Sequence, residues 1–411
     1  MPISTMWSGP FRSLLAGQLV SLLGDAMAPV ALALAVLGAS GRPEDLGVVL
    51  AAQILPHLAL LLVGGAVGDR FSRRTVLIAA SCGAGVTQAA VASVLLTGHY
   101  ALVPIAALEM VNGGLQAFTT PAFRGLIPDL VAAADLQRAN ALLATVKNGS
   151  KIGGPAVAGL LAVTAGGGWA IAADAASFLV AAGILTRLPH SVPPAHGDGR
   201  NLLADIREGW ATFRRLPWLL AGTVSFAVIN LVNTGTWQIL GPVLAADRHG
   251  PAMWGVLLSV RAGGLLLMSA VLYRIVLRNP WRDGRILGMV APLAMAALGL
   301  KAGTPVLLGC AALAGMGFAA VGITWASVVQ RHVPRPMLSR VSAYDDLLSY
   351  LTIPIGQLLA GPAAERWGAA PVAIGSATVF LLAVLAPLAG RRWDPSAVSH
   401  GSVTRATRGT A

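Results

Sequence analysis

The chain has 411 residues, of which 55% are hydrophobic and only 11% charged. A water-soluble chain of that length needs more charge to cover its surface, so lipid is the expected solvent. The formal charge of +12 does not point to nucleic acid, because the basic residues fall between apolar runs and form no continuous basic face.

A membrane helix needs roughly 20 mostly apolar residues. About twelve such stretches follow one another, at 13–38, 46–68, 75–97, 101–123, 138–164, 168–186, 218–245, 253–273, 285–301, 304–328, 340–363 and 370–390. The first follows Arg12 and carries Asp25 near its middle, which is too long and polar for the apolar core of a signal peptide. It reads as an uncleaved span. The fourth holds Glu109 in its outer half, then Gln116 and Phe118. Lys147 and Lys151 lie one turn apart on the fifth, hence on one face, and read as two buried ammonium groups needing Asp25 or Glu109 as partner. Asp174, near the outer end of the sixth, reads as interfacial.

A Pro- and Gly-bearing connection, 187–216, follows. Its second part alternates apolar and charged residues, as in a short amphipathic helix at the membrane surface. The seventh span carries Asn230, Asn233, Trp237 and Gln238, the eighth Arg261 in its outer half, and the tenth Trp325. Asp345 and Asp346 read as opening the eleventh, where acidic side chains suit the positive helix end better than proton transfer. The polar, Ser/Thr/Arg-rich stretch after Trp393 reads as a disordered tail. Cys82 and Cys310 sit in apolar runs as small core residues, and no CxxC, HExxH or His-rich tract argues for a metal. Neither a P-loop nor a Ser/His/Asp constellation appears, so neither an enzyme nor a cofactor is expected.

With the first residue cytoplasmic, external segments hold only Arg42, Arg248, Lys301 and Arg366, and the remaining basic connections all face the cytoplasm. That asymmetry suits an even number of spans in the cell membrane with both termini inside. The halves also resemble each other. Leu14-Leu15-Ala16-Gly17 recurs as Leu219-Leu220-Ala221-Gly222, Arg70 and Arg74 as Arg274 and Arg278, and Val131, Leu136 and Arg138 as Val333, Leu338 and Arg340. Gly154 and Gly159 recur as Gly356 and Gly361. The expected architecture is an all-α membrane protein of two pseudo-symmetric six-helix bundles, 1–186 and 217–391. The connection 187–216 and a tail 392–411 complete the chain.

Gly65-Ala66-Val67-Gly68-Asp69-Arg70-Phe71-Ser72-Arg73-Arg74 resembles the loop motif GxxxD(R/K)xG(R/K)(R/K) of the major facilitator superfamily, with Ser72 in place of the second glycine. Phe11 to Asp25 and Pro121 to Leu130, running into Asn140, resemble the drug:proton antiporter branch that includes macrolide and enterobactin exporters. Gly154, Pro155 and Gly159 resemble part of that branch's fifth-helix motif, with Ser150 and Ala158 where glycines usually stand. Plain helix packing through small residues is the other reading of that stretch.

The resemblance implies a conformational gate in which Asp69 meets the N-terminus of the eleventh helix near Ser339–Arg340, while Arg70, Arg73 and Arg74 bridge neighbouring helix ends; the arginines read equally as topology anchors. It also implies a cavity-lining role for the first helix. Asp25 then becomes the first candidate for the coupling proton, with Glu109, Lys147, Lys151 and Arg261 as further candidates. Gln116, Phe118, Asn230, Asn233, Trp237, Gln238 and Trp325 could line a cavity for an amphiphilic ligand. The expected function is export of a small hydrophobic or amphiphilic compound in exchange for protons, by a monomer in the bilayer. Alternatives are a siderophore exporter of the same fold, a proton-coupled importer, and a sensor or assembly factor without transport.

Overall fold

The computed structural model describes residues 9–40, 43–189, 202–250, 253–390 and 395, and the described chain is helical throughout. Arg42, the Pro-rich stretch 190–201 and tail residues 396–411 lie outside it. In lipid no water is available for free amide and carbonyl groups, so an apolar chain satisfies them within helices. The first six expected spans are α1 (Gly9–Ser40), α2 (Pro43–Arg70), α3 (Arg73–Leu96), α4 (Leu102–Leu130), α5 (Leu136–Thr164) and α6 (Gly167–Leu185). The short helix α7 (Leu202–Arg215) follows.

The seventh expected span is a composite: α8 (Pro217–Asn233), a π-helical segment Thr234–Leu240, and α9 (Gly241–His249). Pro242 has no amide to give the Gln238 carbonyl, and the wider turn lets its ring clear that position. The eighth is α10 (Met253–Arg274). The ninth breaks into α11 (Pro280–Gly288) and α12 (Leu293–Gly299), and the tenth is α13 (Thr304–His332). The eleventh divides at Leu351 into α14 (Leu338–Tyr350) and α15 (Thr352–Trp367), and α16 (Ala369–Leu385) closes the series.

Among the described residues, nine helical stretches are long and apolar enough to cross a membrane. The others are interrupted: α4 by Glu109, Asn112 and Gln116, α5 by Lys147, Asn148 and Lys151, and the ninth expected span by its break. Large apolar side chains face outward at Val103 (77% exposed), Leu160 (65%), Leu358 (76%) and Leu382 (62%), as suits a lipid-facing surface.

The contacts divide the chain into two compact units, one of Met1–Gly209 with Val333–Tyr344, the other of Trp210–His332 with Asp345–Ala411. In the first, α2 packs on α4, α3 on α4 and α6, and α1 on α5 and α6. Its core includes Leu32, Val36, Val91, Ile105 and Ile171. Backbones touch where glycine permits. A Cβ on Gly113 would stand 1.8 Å from the Gln53 carbonyl oxygen, and one on Gly154 would stand 2.5 Å from the Ala26 Cβ.

In the second unit α10 packs on α13, and α16 on α8 and α12, around Trp237, Leu240, Met295, Leu298 and Phe380. Glycines act at matching places. Gly315 admits the Arg261 carbonyl and Gly356 the Leu231 carbonyl, each 2.0 Å from where a Cβ would be. The 3₁₀ turn and helix start at Ala133–Asp135 and Leu136 recur as Arg335–Met337 and Leu338, the spacing of the sequence repeat.

Four expectations need correction. The eleventh helix opens at Leu338, so Asp345 and Asp346 lie two turns inside it and do not serve its N-terminus. Lys147 and Lys151 are exposed on α5 and not buried ammonium groups. Asp174 is fully buried. Cys82 is exposed.

Candidate functional site

The loop motif builds a polar clamp in the first unit. Helix α14 begins with free amides, and Asp69, at the end of α2 and fully buried, takes them. Its Oδ1 accepts from Ser339 N at 3.1 Å, and its Oδ2 accepts from Arg340 N at 2.9 Å and Arg340 Nε at 3.3 Å. Arg73, one turn after Asp69, donates to Asp69 Oδ1 at 3.1 Å, to Gly125 O and Asp129 Oδ2 at 2.9 Å each, and to Arg335 O at 2.6 Å. Arg340 continues the chain of charges through Nη1, which donates to Asp205 Oδ1 and Glu208 Oε2, both at 3.3 Å. Asp205 is therefore buried, and α7, expected as an amphipathic helix at the membrane surface, turns this acid towards Arg340.

Small residues make the clamp fit. A Cβ on Gly65 would stand 2.6 Å from the Ala343 Cβ, and one on Gly125 would stand 2.5 Å from Arg73 Nε. Arg74 serves another helix end, donating to the Leu185 and Thr186 carbonyls where α6 terminates. Arg70 is exposed. In the fifth-helix motif Gly154 is a contact residue, whereas Pro155 is exposed and nothing lies within 4 Å of a Cβ placed on Gly159.

The second feature of this unit is a group of buried acids inside the spans. Glu109 is fully buried; its Oε2 accepts from Asn112 Nδ2 at 3.4 Å and its Oε1 has no hydrogen-bond partner. Asp174 is fully buried with both carboxylate oxygens unpartnered. Its Oδ1 lies 2.5 Å from where a Cβ on Gly24 would be, so the residue beside Asp25 has to be small. Gln88 on α3 is 1% exposed with both side-chain polar atoms unpartnered. Asp25 is half-buried. Sequence reasoning missed Gln88, although a lone amide in an apolar span was a signal for it.

In the second unit the candidate residues fall into two groups. Asn230 Nδ2 donates to Ser349 O at 3.0 Å, joining α8 to α14. Trp325 Nε1 donates to Asp345 Oδ2 at 2.8 Å, while Thr223 Oγ1 donates to Asp345 Oδ1 at 2.6 Å. Trp325 also packs among Trp218, Trp281 and Phe226, so it is a structural member of an aromatic cluster. Arg261 meets Asn233 and Trp237, and Gln238 accepts from Gln357 at 3.0 Å on the exposed side. Gln116 and Phe118 are half-buried on α4. Among the described residues no group of His, Cys, Asp and Glu is arranged to hold a metal.

The sequence profile of the Major Facilitator Superfamily matches residues 14–353. The chain belongs to the major facilitator superfamily. This superfamily member is 29% identical over 376 residues to the multidrug efflux pump Tap of Mycolicibacterium fortuitum, covering 88% of this chain and 90% of that one. It is 25% identical over 405 residues to macrolide efflux protein A of Streptococcus pyogenes, covering 93% and 96%. Among solved structures it resembles the human organic anion transporter MFSD10, with a TM-score of 0.74 at 19% identity over 92% of this chain and 98% of that one. That likeness establishes the all-helical fold, and membership of the superfamily makes the chain a multi-pass membrane transporter and not an enzyme.

Proposed function

We propose that this transporter exports small hydrophobic or amphiphilic compounds in exchange for protons, by alternating access in a twelve-span monomer with both termini cytoplasmic. The observation that carries export is similarity to multidrug and macrolide efflux pumps over 88% and 93% of the chain. The proton part is supported by Glu109 and Asp174, fully buried carboxyl groups with unpartnered oxygens within the spans. A charge there, with at most one weak donor facing it, costs several kcal/mol, and taking up a proton removes that cost. Asp25 remains the half-buried member through which protons would exchange. The contact of Asp69 with the start of α14 is the latch that would open and close as access alternates.

Everted membrane vesicles test the whole reading. Energised vesicles should accumulate ethidium, and a protonophore should abolish that uptake. Uptake that survives the protonophore removes proton coupling, and uptake by vesicles of the opposite orientation alone makes the protein an importer.

A further inference from the structure

Arg261 is an intramembrane cation with aromatic neighbours. It lies in the third turn of α10, with its guanidinium carbon 4.6 Å from the Trp237 ring centroid and 5.4 Å from that of Phe318. Its Nη2 donates to Asn233 Oδ1 at 3.0 Å, and its Nε is buried without a hydrogen-bond partner. Among the described residues no carboxylate forms an ion pair with it. A guanidinium has five N–H donors, and among the described residues one acceptor, Asn233 Oδ1, meets them. Ring faces attract the cation but do not neutralise it.

The arginine is also held in place. Gly315 brings α13 against the Arg261 carbonyl, and Gly264 brings α10 against the Ala312 carbonyl, so the backbone at this point cannot retreat. Trp237 comes from the π-helical segment and is braced by Trp254, ring centroids 4.9 Å apart. Arg261 stays partly accessible while Trp237 is 3% exposed. The result is a fixed, planar, under-satisfied donor beside apolar ring surface, the arrangement that recognises a carboxylate carried on a hydrophobic body.

We propose that Arg261, oriented by Asn233 and backed by the buried Trp237 ring, forms with the half-buried Phe318 a subsite for the carboxylate of an amphiphilic organic acid, whose apolar part lies against Phe318. The assignment rests on the transporter reading and adds amphiphilic acids to the compounds that reading covers.

The test uses purified protein in lipid nanodiscs, with 11-(dansylamino)undecanoic acid and its methyl ester as a matched probe pair and empty nanodiscs as the blank. The acid should bind about tenfold or more tightly than the ester, the effect of one charge-assisted pair. Arg261→Gln should bring the ratio to about one. Asn233→Asp should do the same with the guanidinium still present, because it supplies an internal carboxylate where the amide oxygen now accepts. Equal binding of acid and ester by the wild-type protein overturns the proposal, as does binding of neither or a preference that persists in Arg261→Gln. Ethidium uptake by everted vesicles separates this inference from the exporter reading. Uptake without an acid preference leaves the exporter and removes the subsite, whereas an acid preference without any uptake keeps the subsite and removes the exporter.

Discussion

Asp69 holds Arg340 twice, through the backbone amide at 2.9 Å and the side-chain Nε at 3.3 Å, so one carboxylate fixes both the start of α14 and the side chain that reaches α7. Removing one partner of a buried pair leaves the other charge stranded, at a cost of roughly 3–5 kcal/mol. Asp69→Asn should therefore lower substrate flux at least tenfold while the protein still inserts. Flux assays normalised to the amount of membrane-embedded protein check this; normal flux would show that the clamp is not part of the cycle.

Gly65 sets how close α2 comes to α14. Gly65→Ala puts a methyl group 2.6 Å from the Ala343 Cβ and 3.0 Å from the Ser339 carbonyl oxygen. Flux should fall several-fold, and Ala343→Gly in the same protein should restore part of it. A double-mutant cycle with no coupling between the two changes would place the effect elsewhere.

Gly113, Gly154 and Gly159 separate packing from motif membership. Gly113→Ala meets the Gln53 backbone at 1.8 Å, and Gly154→Ala meets Ala26 at 2.5 Å, whereas Gly159→Ala meets nothing within 4 Å. Overpacking costs about 1–3 kcal/mol. The first two variants should unfold at lower temperature in detergent and the third should not, as read by intrinsic tryptophan fluorescence during heating. A loss of flux without loss of stability in Gly159→Ala would assign that glycine a role beyond packing.

Asp174→Asn keeps the shape of a buried group whose two oxygens lack partners. If this carboxyl carries a coupling proton, proton-driven accumulation should fall at least tenfold while downhill exchange of substrate continues. The comparison of the two fluxes in the same vesicles is the measurement, and unchanged accumulation removes Asp174 from the proton path.

Element order was legible because each apolar run is long enough to span and each break carries charge, proline or glycine. Asp69 was legible too, since its motif pins it to the end of α2. Which face each span turns inward was not. A helix with lipid on one side and protein on the other is apolar all round, so no amphipathic stripe tells the faces apart. That ambiguity hid the burial of Asp174 and Gln88 and the exposure of Lys147 and Lys151. At α11 a local signal was overlooked: Asn279 accepts from Arg282 N at 3.1 Å and Pro280 takes the first helical position, so the helix opens at 280, ahead of the expected 285.

The π-helical turn at Thr234–Leu240 winds more residues into the helix than its length requires. Elsewhere in a span, losing one residue would swing everything downstream by about 100°. Here a single-codon deletion tightens the coil to an ordinary one, making this stretch a natural place for related pumps to differ in length.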